Sequence, residues 1–357
     1  MSNITDNSNS LSLQITLSLW TSFACVAGLI GNTFTLIATL QYKAITMDKV
    51  SILFIQNIAA GDLLYNLTYI LPSAISQIAG YWPLGSFLCG LVSHFEFVGA
   101  LSTSLFIVLI SGFKLLMCLW PLRVAMFTKR RAVGVCGVVW AVSLTNTLLS
   151  FTAYPGRYYD STMAICQSNL YKDESGVLFA LLIIFTFIPM ILIFSISTWL
   201  LVIASKYTHA HRTKTPSENS QDSSPDGLQS ALHNLSTVTN SINKKALYTT
   251  LLISGLYFIS WSPFIIYILT ASIMGSSAPS WLALFGGYFS QINTWCNPIV
   301  YTCTNKRFAK FVMRMLCCRK SKASVYTNTH IVRNASVLVH EPVPVNTTEH
   351  GMNISMM

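Results

Sequence analysis

Asn297-Pro298-Ile299-Val300-Tyr301 closes the last of seven long apolar stretches, just ahead of a basic segment that ends in Cys317-Cys318. Pro298 withholds a backbone donor and bends a helix, while Asn297 and Tyr301, four residues apart, share one face of the bend. Polar side chains on the inward face of a membrane helix are costly unless they line a cavity or serve a switch. The pentapeptide therefore points to a transmembrane bundle that moves.

Composition agrees with that reading. Of 357 residues, 52% are hydrophobic and 10% charged, against about a quarter charged in soluble domains. Apolar runs long enough to cross a bilayer as helices fall at 15–40, 51–77, 87–117, 132–153, 176–204, 246–271 and 281–303. The fold class is all-α: a seven-transmembrane helix bundle over 15–304, after an extracellular segment 1–14. An amphipathic juxtamembrane helix, 305–318, and a disordered cytoplasmic tail, 319–357, follow it. Residues 207–243 are rich in Ser, Thr, Asn and Gln, and their composition predicts a disordered cytoplasmic loop.

Charge sets the orientation. With the N-terminus outside, all of the 22 Lys and Arg residues except Arg157 and Lys172 fall on the cytoplasmic side, as the positive-inside rule requires. The net charge of +10 then reflects topology and anionic lipid rather than nucleic acid. Asn3-Ile4-Thr5 is the usable glycosylation sequon. The sequon at Asn66 lies in a span, and those at Asn234, Asn334, Asn346 and Asn353 are cytosolic. The first apolar run is too long for a signal-peptide core and reads as a retained helix.

Cys89 and Cys166 are the two cysteines at extracellular positions, where the compartment is oxidising, and they read as a disulfide. Cys317 and Cys318 end a stretch in which Phe308, Phe311, Val312, Met315 and Leu316 repeat against Lys306, Arg307, Lys310 and Arg314. That pattern is a surface-lying helix tipped by palmitoylation candidates.

Several further features have a common pattern: Gly31-Asn32, Ala59-Ala60-Gly61-Asp62, Trp82 with Gly85 and Cys89, Trp140, Pro189, and Ser260-Trp261-Ser262-Pro263. In this order, with Asn297–Tyr301 at the end, the chain resembles a rhodopsin-like (class A) G-protein-coupled receptor. The resemblance covers about 15–318. It implies an extracellular ligand bound in the outer half of the bundle, a heterotrimeric G protein inside, and a switch built from Lys114, Trp261, Pro263, Asn297, Pro298 and Tyr301. Receptor kinases and arrestin are implied as further partners for the Ser and Thr of loop and tail, a plain solvated tether being the equal alternative.

On the third span Glu96, Thr103 and Lys114 fall close to one line at 100° per residue. Glu96 and Asp62 are intramembrane carboxylates without a Lys or Arg at their depth, and each must be protonated, hydrated or matched by a cation. For Asp62 the resemblance implies a sodium pocket with Thr103, Asn293 and Asn297, and Asn32 near by; a hydrated polar network is the alternative. Glu96 reads either as the anchor of a cationic ligand or as an acid hydrogen-bonded to Gln291, His94 or a tyrosine. A cationic amine is slightly favoured. Trp261, Phe264 and Tyr267 offer aromatic walls, with Phe258 beside them. Gln291 stands where an opsin has its retinal lysine, and no Lys occurs in 281–303, so no retinal is expected.

The main departure from the family is Phe113-Lys114-Leu115 in place of Asp-Arg-Tyr. Phe113 removes the neighbouring acid, Lys114 replaces a planar fork with a point charge, and no acid stands near Asn243 at the start of the sixth span. Ser197 also stands where a Tyr is usual. Resting restraint is expected to be weak, giving either elevated basal activity or impaired coupling. The alternatives are an atypical receptor of the same fold with little G-protein coupling and, outside the class, a transporter or channel. No enzyme motif has a convincing context.

Overall fold

A computed structural model describes residues 2–41, 48–120, 123, 124, 126–153, 157–160, 164–168, 183–212, 227–274 and 278–316. The side chains of Asn3 and Glu96 lie outside that description, as do Cys317, Cys318 and the rest of the tail. The first span is α1 (Ser2–Gln41). The second is α2 (Lys49–Tyr65), a π-turn (Asn66–Ile70) and α3 (Leu71–Ala79). The third and fourth are α4 (Gly85–Leu119) and α5 (Lys129–Ala153). Strands β1 (Arg157–Asp160) and β2 (Ile165–Ser168) form an antiparallel hairpin in which Tyr159 faces Cys166. The fifth span is a π-turn (Ile183–Phe187) and α6 (Ile188–Arg212), and the sixth is α7 (Gly227–Met274). Helices α8 (Ser280–Ser290) and α9 (Ile292–Thr304) make the seventh, before α10 (Lys306–Leu316).

Five of these spans are long and apolar enough on their own to cross a membrane, among the described residues. The fifth shows a shorter apolar helix, Ile188–Ile203, after its π-turn, and the seventh is interrupted at Gln291. The arrangement is the expected seven-helix bundle with a short helix after it.

Two boundaries differ from expectation. Helix α1 begins at Ser2, upstream of position 15; its hydroxyls bond back along the helix, Thr16 to the Ser12 carbonyl at 2.8 Å and Ser18 to that of Gln14 at 2.8 Å. Satisfied in this way, they do not compete with the helical ladder. Helix α7 begins at Gly227, inside the stretch that composition reads as disordered, and α6 runs on to Arg212; 213–226 lie outside the described residues. Leu228, Leu232, Leu235, Val238 and Ile242 recur at helical spacing, a pattern that averaged composition hides.

The second span shows why a proline matters away from a bend motif. Pro72 donates no hydrogen bond and crowds the carbonyl four residues before it. The helix widens one turn earlier, where the Leu71 N–H reaches the Asn66 carbonyl. Spans one and three meet this stretch, and Asn66 at its start bonds back to the Asp62 carbonyl, so the widened turn lies beside the polar centre of the bundle.

Candidate functional site

The polar residues that the sequence singles out are the hydrogen bonds between spans. Asn32 Nδ2 donates to the Thr294 carbonyl at 2.6 Å, joining spans one and seven. Trp140 Nε1 donates to Asn57 Oδ1 at 2.9 Å, joining four and two. Asp62, 1% exposed, receives Thr103 Oγ1 and Asn297 Nδ2, each at 2.9 Å, on its two oxygens. One carboxylate thereby ties the second span to the third and seventh, in a medium where polar groups serve as glue between helices.

Around Asp62 the donor set fits a hard cation. Buried acceptors on the same spans lack partners: Asn32 Oδ1, Asn66 Oδ1 and Asn293 Oδ1. Oxygens of this kind are what such an ion takes. Asn293 is 4% exposed, and Asn32 spends its amide on carbonyls rather than on Asp62. Asn66, read from sequence only as a buried sequon, donates to the Asp62 backbone carbonyl at 3.2 Å.

Toward the disulfide end, Trp261 touches Tyr65, Tyr257 and Phe264 at ring distances of 6.2, 6.0 and 5.8 Å, and Phe264 reaches Tyr267 at 6.1 Å. Tyr267 packs with Val92, Ile268 and Ala283, and with Ile165 of the hairpin. Gln291 is buried with its Oε1 unpartnered. Trp261, Phe264 and Tyr267 thus form one aromatic line beneath the hairpin. Phe258 pairs instead with Phe194 of the fifth span at 5.2 Å. Cys89 and Cys166 are bonded, holding β2 to the third span.

Pro263 and Pro298 both face a glycine. A Cβ at Gly286 would stand 2.7 Å from the Phe264 Cα and 3.1 Å from the Pro263 carbonyl carbon; one at Gly31 would meet Pro298 Cγ at 2.9 Å. Spans six and seven touch backbone to backbone at the bend, and the Pro298 ring of the seventh packs on the Gly31 backbone of the first. Tyr301 is buried, its hydroxyl unpartnered and its ring 6.1 Å from Phe308 of α10.

At the end of the third span opposite the disulfide, Lys114 meets an acid that the altered motif does not supply. Lys114 is 5% exposed, and its Nζ lies 2.7 Å from Asp48 Oδ2. Asp48 caps α2, accepting from the Ser51 N–H on Oδ1 and from the Ser51 hydroxyl on Oδ2, each at 2.7 Å. Burial alone would raise the Asp48 carboxyl, but the Lys114 ammonium and the bonds from Lys114 and Ser51 together hold it below its ordinary value. Phe113, where the family has the acid, packs against Phe54 at 6.1 Å and Phe127 at 5.9 Å. An acid does meet the cation, but it comes from another helix. Asp48 is 66 positions from Lys114 and reads in sequence as an ordinary helix cap.

Residues 31–301 match the family model described as "7 transmembrane receptor (rhodopsin family)". The chain belongs to that family. The receptor is 25% identical to the alpha-1A adrenergic receptor of Mus musculus over 324 residues, 84% of this chain and 68% of that one. It is likewise 25% identical to the RYamide receptor of Tribolium castaneum over 306 residues, 82% and 77% of the two chains. The crystal structure of squid rhodopsin shares its fold, with a TM-score of 0.70 across 93% of both chains at 15% identity. The receptor is a multi-pass protein of the plasma membrane.

Proposed function

We propose that the receptor stands with its N-terminus outside, binds an extracellular ligand between the aromatic line and the hairpin, and signals to a heterotrimeric G protein at its inner end. The observation that supports this most is Asp62, bonded at once to Thr103 and Asn297. A ligand that shifts Trp261 or the third span from outside moves partners of that carboxylate, and the Asn297–Tyr301 bend carries the shift inward. Ligand and G protein are then coupled reciprocally. Asp62, Thr103, Asn293 and Asn297 would hold a sodium ion, whose charge would balance the carboxylate in the resting bundle. With Gln291 in the position of the retinal lysine, the ligand is diffusible.

A second reading, a receptor of this fold with little coupling, draws on Lys114, whose charge is engaged within the bundle. The relatives' names point to two ligand chemistries, adrenergic amines and RYamide peptides. Both should be applied to cells expressing wild type and Glu96→Gln at matched surface levels, with second messengers and arrestin recruitment recorded. The amine reading expects a response that Glu96→Gln weakens about ten- to a hundred-fold, the worth of a charge-assisted contact. A peptide response indifferent to Glu96→Gln would overturn the amine anchor. Arrestin recruitment without any second messenger would favour the uncoupled reading.

A further inference from the structure

We propose that Asp48 is the counter-ion that latches Lys114 in the resting receptor, so that the restraint on the third span runs to the second span. The inference rests on the signalling role proposed above and names how it is held in check.

Three observations carry it. The Lys114–Asp48 contact is an ion pair whose ammonium is almost fully buried. A buried charge is tolerated only while paired, so leaving either partner alone is unfavourable. Asp48 is also placed before Lys114 arrives: as the α2 cap it takes two bonds from Ser51, itself 0% exposed. Lys114, by contrast, is a flexible stem that reaches Met117 Sδ at 3.9 Å and the Phe113 ring at 5.8 Å, neither an equal substitute for a carboxylate.

The opposite flank of the third span is held differently. Leu115 packs with Leu200 of the fifth span and Leu247 of the sixth, and the Ser111 and Ser254 hydroxyls meet at 2.9 Å. Apolar contacts and one hydroxyl pair separate and re-form readily when the sixth span swings. The ion pair does not: Lys114 must leave Asp48 before its charge can face a protein partner in the opened cavity. Release of the pair is therefore the step that resists activation.

The cap role can be separated from the charge, because Asn caps a helix about as well as Asp. Asp48→Asn keeps the bond to the Ser51 N–H and removes the counter-ion; Asp48→Lys removes cap and counter-ion together, and Asp48→Lys with Lys114→Asp restores the pair reversed on that uncapped background. Two measurements on the full-length receptor are needed: basal guanine-nucleotide exchange on added heterotrimeric G protein in membranes, and hydrogen exchange of the amides at 49–54 and 111–118. The latch expects Asp48→Asn to raise basal exchange about five-fold or more, the lower edge of common allosteric couplings, with faster amide exchange at both segments. The swap should reverse both effects relative to Asp48→Lys alone. Wild-type amide exchange and basal signalling in Asp48→Asn would overturn the latch, as would a swap no better than Asp48→Lys alone. Amide exchange that speeds and recovers without signalling from any variant would support the latch and overturn the coupling. Should Asp48→Asn fail to reach the surface, rescue of expression by the swap reports the same pair, and failure of that rescue counts against it.

Discussion

Asp62 concentrates the cost and the use of polarity in this bundle. Each buried acceptor left without a donor costs about 1–3 kcal/mol, and Asn32, Asn66 and Asn293 each present one near the carboxylate's partners. A bound cation would satisfy such oxygens in the resting arrangement and oppose any ligand that favours the other one. Replacing a bulky organic cation with sodium should therefore lower agonist affinity about five-fold or more, and Asp62→Asn should abolish the difference. Radioligand competition in the two salts measures it; equal affinities in wild type would leave a hydrated network in place of an ion site. At the same scale, Asp48 has a depressed carboxyl, so its contribution is fully present above the ordinary carboxylate value and is lost only as pH falls through the lowered one. The pair with Lys114 is thus constitutive at neutral pH. Sequence disclosed Lys114 as anomalous because a motif position was altered. It hid the compensation, because a helix cap and a counter-ion look alike until the chain is folded.

At the scale of elements, proline and glycine work together. Pro263 frees the sixth helix to bend, and Gly286 lets the seventh approach it at the bend. A methyl there meets backbone that has no rotamer by which to yield. Gly286→Ala should cost about 1–3 kcal/mol, as overpacking does, and lower the melting temperature of the purified receptor by several degrees. Gly137→Ala on the fourth span, where nothing lies within 4 Å of the added Cβ, should leave it unchanged or raise it slightly. Thermal unfolding of both in detergent decides; equal melting points would mean that the spans part freely at Gly286. The spans themselves were legible because a bilayer demands long apolar runs. Pro298 announced its bend through its neighbours Asn297 and Tyr301. Pro72 and its π-turn, and the helical start of the sixth span at Gly227, were not legible, since one depends on a local backbone exchange and the other on periodicity within a polar stretch.

Over the whole molecule, the bundle is closed at one end by a hairpin and at the other by charge and leucines. Cys166 is 0% exposed and Ile165 1%, so β2 is a lid seated on Val92, Tyr267 and Ile268. The bond to Cys89 closes a loop of sequence separation 77; in the chain-entropy picture such a loop stabilises the fold by about 4–5 kcal/mol. It also fixes where Ile165 presses on the aromatic line, so that, with the ligand site proposed above, stability and ligand access depend on one link. Cys89→Ser and Cys166→Ser should each reduce surface expression and ligand binding together. The double variant should be little worse than either, because each single variant already removes the same bond and coupled sites do not add. Flow cytometry for surface receptor and saturation binding on the same cells give both quantities. Losses that add, or intact binding at normal surface levels in both single variants, would mean that the hairpin is seated by its apolar contacts alone.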